Sequence, residues 1–228
     1  MHAETALRAS CTGVLGRRVF CHKLVSVRAR AVREKRTVGR TKLKSKEIFM
    51  EAQNVLIRDE KDTDYSVISD VTKSAFETME ISNHTEQFII DALRSAKALT
   101  VSLVAEIDGL VVGHIAFSPV TMSDGTNDWY GLGPISVHPD FQRKGIGQAL
   151  IQEGLSRLRK LKAKGCCLVG HPEYYRQFGF NNVEGLVYEG VPQEVFVALS
   201  FDGDIPQGNV MFHEGFKASG QQSAPADG

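Results

Sequence analysis

The stretch from Leu99 to Phe117 leaves this chain little freedom in how it folds. Leu99, Val101, Leu103, Ala105 and Ile107 alternate with Thr100, Ser102, Val104 and Glu106. A period of two puts successive side chains on opposite faces of a strand. Asp108-Gly109 comes next, and supplies the two positive-φ residues that a type I′ turn requires. Leu110 to Phe117 then returns as the partner strand, with Pro119 expected to end it. A sheet is therefore built in, and the rest of the chain must cover it.

The flanking segments supply helices and more strands. Asn54 to Arg58 reads as a first strand. Ile68, Val71, Ala75, Phe76 and Met79 form an apolar helical stripe. Asn83 to Glu86 resembles a capping box opening a second helix with Ile89, Leu93 and Ala96 on one face. Ser123 to Asp128 is a loop, and Trp129 to Val137 an apolar, glycine-rich strand. From Gly145 the period becomes helical, with Ile146, Leu150, Ile151, Leu155, Leu158 and Leu161 on one half of the wheel and Gly165 as the stop. Cys166 to Val169 is a short buried strand by composition. Tyr174 to Phe178 forms a short helix stopped by Gly179, and Val187–Tyr188 and Val195–Phe201 are further strands. The order β-α-α-β-β-β-α-β-α-β implies a mixed α/β sheet.

Composition removes several classes. The 228 residues are 42% hydrophobic and 24% charged, ordinary for a globular domain. No apolar run is long enough for a transmembrane helix. Cys11, Cys21, Cys166 and Cys167 lack C-x-x-C spacing, so no metal site is expected and a reducing, cytoplasmic setting fits.

The formal net charge of zero hides a split. Residues 1–49 hold thirteen Lys and Arg against three acids, a net of +10, which leaves −10 on the rest. Such a basic segment can be a nucleic-acid-binding arm, a transit peptide or a twin-arginine export signal around Arg17-Arg18. It can also be translated leader sequence, with Met50 the natural start. Phe20 is the only aromatic residue before Phe49, which argues against base stacking, so a nucleic-acid partner is not expected. Val25 to Arg30 interrupts the apolar core an export signal needs. The leader reading is favoured, because Lys46-Glu47 can be encoded as a ribosome-binding site, with Ile48-Phe49 as the spacer before Met50. The expected organisation is a basic extension over 1–49, one domain over 50–217 and a disordered tail over 218–228.

The chemistry is expected at Gln142-Arg143-Lys144-Gly145-Ile146-Gly147, between a strand and an amphipathic helix. A helix start presents unpaired N–H groups and the positive end of the helix dipole. Glycines let the backbone approach a ligand closely, and two bases add charge. The expected guest is a phosphate or diphosphate. Neither a Walker A loop nor a dinucleotide-binding fingerprint is present.

Val137 to Gly147 resembles motif A of the GNAT superfamily of N-acetyltransferases. Tyr174-Tyr175-Arg176-Gln177-Phe178-Gly179-Phe180 is similar to that family's second signature, a Tyr four residues before Gly-Phe. Gly113 to Val120 and Gly170 to Tyr175 look like its YhbS-like branch. The resemblance spans about residues 53–217. It implies a central mixed, largely antiparallel sheet flanked by helices. It also implies an acetyl-CoA-dependent enzyme that acetylates a primary amine by direct attack. The acceptor would be a small molecule or a protein amine, and a homodimer is compatible with the family.

Carried over by position, Gln142, Arg143, Lys144, Gly145, Ile146, Gly147 and Gln148 would hold the diphosphate. Ile135, Ser136 and Val137 would pair with the pantetheine arm like an added strand. Tyr175 would be the general acid, with Tyr174 its near rival. The family's Asn after the strand ending at Val169 is replaced by Gly170-His171-Pro172. Glu106, His114, His138, His171 and Glu173 are all candidate bases. Buried Cys166 and Cys167 are read as packing residues, not nucleophiles. The −10 outside the basic segment favours a cationic acceptor. Two rival functions are an acyl-CoA-binding module without turnover and nucleic-acid binding through residues 1–49.

Overall fold

The computed structural model describes residues 55–77, 79 and 82–220. The basic segment 1–49, and all of the expected tail beyond Gly220, lie outside these residues. Strand β1 (Leu56–Asp59) leads into helices α1 (Tyr65–Phe76) and α2 (Glu86–Ser95). The expected hairpin follows as β2 (Val101–Ile107) and β3 (Leu110–Met122), joined by Asp108 and Gly109 at φ of 50° and 81°. Then come β4 (Trp129–Val137), α3 (Ile146–Lys160), β5 (Gly165–Val169), the single turn α4 (Pro172–Tyr175), β6 (Leu186–Val187), β7 (Phe196–Ser200) and β8 (Gly208–Phe212).

The main sheet runs β1-β2-β3-β4-β5-β7. All its pairings are antiparallel except β4 with β5. Helix α3 covers one face through Ile146, Leu150, Ile151, Leu155 and Leu158, which join Leu103, Ile115, Phe117 and Leu132 in the principal core. Helices α1 and α2 cover the other face, where Ile68 and Ile90 pack on Val104. A second core under β8 holds Trp129, Phe196 and Val210.

Strand β3 does not end at Pro119. That residue makes the last pairing with β4, opposite Tyr130, and Val120 to Met122 then pair with β8. One missing N–H costs one ladder position, and a new partner strand takes over from the next residue. Asn83 to Glu86 is not a capping box. Thr85 makes no side-chain cap bond; instead Ser82 Oγ donates to Glu86 Oε1 at 2.6 Å and accepts from the His84 amide. Helix α3 stops at Lys160, with Leu161 exposed and Lys162 at φ 61°. Gly165 therefore opens β5 and does not stop the helix.

Candidate active site

Strands β4 and β5 part company early. They pair in parallel only from Trp129–Gly165 to Gly131–Cys167. Beyond Gly131, β4 keeps β3 on one side, and its other edge has no strand partner among the described residues. The register of β4 against β3 also shifts between Ile115 and Phe117, which inserts one extra residue in β4 around Gly133-Pro134. Such a bulge bends a strand and strengthens its local twist. The result is a fork, with Ile135, Ser136 and Val137 on its free edge.

The fork opens onto the start of α3. Gly145 caps that helix at φ 83°, and Arg143 precedes it at φ 62°. The first backbone bond of the helix is from Ala149 N to Gly145 O. The amides of Ile146, Gly147 and Gln148 are therefore without a backbone acceptor, as helix geometry demands. Gln142 Nε2 donates to Val137 O at 3.0 Å and ties the loop to β4. Gln148 Nε2 donates to Gln177 Oε1 at 2.8 Å and ties α3 to the segment after α4.

A cavity of about 500 Å³ joins these parts. Ile135, Ser136, Val137, Gln142, Arg143, Gly145, Ile146, Gly147 and Gln148 all line it. Lys144 does not; its ammonium lies 5.3 Å from the centre of the Phe141 ring. Met79, Phe141 and Tyr174 complete the wall; Tyr174 was the near rival for the acid, and the other two were not among the expected binding residues. A hydrophobic stripe had placed Met79 on helix α1, but the helix ends at Phe76 and Met79 is freed to reach the cavity.

The two tyrosines have separate places. The Tyr174 phenol is close to Gly147, at the α3 end of the cavity, and its residue is 40% exposed. Tyr175 packs against the principal core, edge-on to Phe180 at 5.9 Å, and does not line the cavity. Its hydroxyl has no hydrogen-bond partner among the described residues, and burial pushes its pKa up, with the nearby Cys166 thiol adding to the rise. Tyr175 packs on the cluster that holds Leu132 and Cys166, next to the last β4–β5 pairing, Gly131–Cys167, and so stands at the base of the fork. Gly170 has no side chain because Tyr175 occupies the space: a Cβ there would meet the ring edge at 2.5 Å. This accounts for glycine where the family pattern has Asn.

The candidate bases are scattered. Glu106 is held by Arg58 at 2.7 Å. His138 and Glu173 are at the surface, and His171 precedes the turn of α4. His114 is wholly buried on β3. Both β5 thiols are buried and their pKa values raised by desolvation, which makes them poor nucleophiles. Among the described residues there is no cluster of three potential metal ligands, and no helix is long and apolar enough to cross a membrane.

Residues 99–182 match the acetyltransferase (GNAT) domain family. The N-acetyltransferase YhbS of Escherichia coli K12 is 32% identical over 127 residues, covering 55% of this chain and 73% of that protein. A GNAT family acetyltransferase from Brucella melitensis, solved in complex with acetyl-CoA, is 49% identical, with 71% of this chain and 97% of that one covered at a TM-score of 0.64. The E. coli YhbS structure in complex with CoA is 30% identical, with 73% and 94% covered at a TM-score of 0.66.

Proposed function

The chain belongs to the GNAT family of acetyltransferases, and from that premise we propose that it moves the acetyl group of acetyl-CoA to a primary amine by direct attack, with no acyl-enzyme. One observation carries this reading. The unpaired amides opening α3 and the unpaired edge of β4 line the same cavity. The first suits a diphosphate, and the second suits an extended amide-bearing arm added as a further strand. That is the chemistry of coenzyme A from one end to the other.

In this reading Gln142 to Gln148 hold the diphosphate and Ile135 to Val137 pair with the arm. An amide on the same strand faces the oxygen that becomes negative as the amine adds. The sulfur end lies in the fork, where Tyr175 gives the departing thiolate its proton. A phenol at ~10 is a weaker acid than a thiol at ~8.5. Burial penalises both anions alike, so the transfer stays uphill by roughly 2 kcal/mol, affordable when it accompanies C–S cleavage. Tyr174, at the α3 end, is placed to contact the diphosphate or the start of the arm.

Two measurements test the proposal in sequence. CoA at a hundred times its Kd should stabilise the fold by about 2.7 kcal/mol, a rise in Tm of roughly 5–11 °C for a domain of this size. A panel of amines with acetyl-CoA should then show free-thiol release with at least one acceptor. No thermal shift with CoA or acetyl-CoA would overturn the reading.

A further inference from the structure

Among the described residues, His114 is a wholly buried histidine outside the cavity lining. It is 0% exposed, in the middle of β3. Its Nε2 is 2.8 Å from Ser102 Oγ and 3.6 Å from Glu60 Oε2. Glu60 is in turn clamped by Arg94 through two bonds of 2.9 Å. Acceptors beside Nε2 hold the neutral ring's proton on that nitrogen and leave a lone pair on Nδ1. Among the described residues that Nδ1 is buried without a partner, as is Ser118 Oγ four residues along the same face of β3. Buried polar atoms are nearly always satisfied, by water if not by protein.

The position of this orphan matters. His114 pairs in register with Ser136 of β4, so their Cβ atoms are about 4.5–5.5 Å apart on one face of the sheet. Ser136 lines the cavity and shares a 3.1 Å bond with Thr72 of α1. Ser118 pairs with Gly131, where β4 leaves β5. The two unpartnered atoms therefore stand on the strand next to the fork, on either side of the β4 bulge.

We propose that His114 accepts, through ordered water bridging its Nδ1 to the fork, the proton that the acceptor ammonium must lose before attack. This rests on the acetyl-transfer reading above and assigns the proton acceptor for it. The protons balance as follows. The ammonium gives one proton through water to Nδ1, and the free amine forms the C–N bond. The C–S bond then breaks with its electron pair on sulfur, which takes the Tyr175 proton. The second proton leaving nitrogen restores the phenol, and His114 returns its proton to solvent, so one proton is released per amide formed.

Around the ring stand Glu60 after β1, held by Arg94 of α2, then Ser102 of β2 and, as register partner, Ser136 of β4, which bonds Thr72 of α1. Of these only Glu60 and Arg94 are charged. Burial lowers the His114 pKa, with Glu60 opposing, so the ring is neutral and ready to accept at pH 7.

The test is the dependence of kcat/KM on pH, from about 4 to 10, in the full chain with an amine turned over by the unaltered protein. The unaltered protein should reach a plateau near neutrality. His114→Gln should lose about 1,000-fold at pH 7, because only the free amine, scarce by about three pH units, then reacts. Its rate should climb tenfold per pH unit until the amine's own pKa, ~10 for a lysine-like amine, with an unchanged CoA-induced thermal shift. A loss by the same factor at every pH, or no loss, would overturn the proposal. Glu60→Gln gives an independent check, should the first variant not fold. Losing the carboxylate weakens His114 as a base, so the acid limb should move to lower pH; an unmoved limb would also overturn it. If the unaltered protein turns over no amine, the acetyl-transfer reading fails instead.

Discussion

Replacing Tyr175 by Phe removes one oxygen and separates packing from chemistry. The ring fills the space beside Gly170 and touches Phe178 and Phe180, and Phe keeps all of that. The hydroxyl has no hydrogen-bond partner among the described residues, so nothing is orphaned by its loss. Tyr175 is half-buried, and its hydroxyl is not among the enclosed polar atoms without a partner. The variant should therefore be about as stable as the parent, with Tm within roughly 4 °C, the shift that about 1 kcal/mol gives. CoA affinity should be unchanged, because neither the α3 amides nor the β4 edge is touched. Turnover should fall by about 10²–10⁴, or roughly 3–5 kcal/mol in barrier, because the thiolate must leave unprotonated. The assay is steady-state thiol release beside CoA calorimetry. Tyr174→Phe is the control, and should weaken binding by at most a few fold and leave kcat within about threefold. A Tyr175→Phe enzyme at full kcat, with Tyr174→Phe the slow one, would refute the assignment.

Three other outcomes are expected. Gly147→Leu should fold, because a Cβ there meets the Tyr174 phenol only at 3.4 Å. The longer side chain would fill the cavity, and CoA affinity by calorimetry should drop at least 100-fold, about 2.7 kcal/mol. Gly154→Ala should lower Tm despite the better helix former, since a methyl there collides with the buried Phe117 ring and overpacking costs about 1–3 kcal/mol. Glu60 is held near pKa 2 by bonds from His114 and Arg94 acting against desolvation. A depressed carboxylate stabilises the fold above its unfolded pKa of ~4.3 and loses that contribution as pH falls toward 2. Urea titrations should show roughly 2 kcal/mol lost across that window, a discounted figure because the group is partly solvated, and Glu60→Gln should flatten the dependence.

What could be read in the sequence was local. The hairpin at Asp108-Gly109 and the strand–loop–helix from Trp129 to Lys160 depend on periods and turn residues a few positions apart. They appear where the pattern puts them, and nine of the ten expected binding residues in that segment line the cavity. The remainder depends on partners far along the chain. Pro119 ends a strand only if no new neighbour is available, and β8, ninety residues later, supplies one. Tyr174 and Tyr175 are adjacent, and spacing alone separates them weakly. Their different surroundings come from Gly147 on one side and from Gly170 and Cys166 on the other. His114 looked like one base among five. Its distinction lies in Glu60, Arg94 and Ser102, which only the sheet brings together.

The most direct measurement is a crystal structure with CoA bound. The account predicts diphosphate oxygens about 2.7–3.2 Å from the amides of Ile146 to Gln148, the pantetheine arm along Ile135 to Val137, and the sulfur in the fork beside Tyr175. A diphosphate bound away from those amides, or an arm that leaves the β4 edge unpaired, would contradict it.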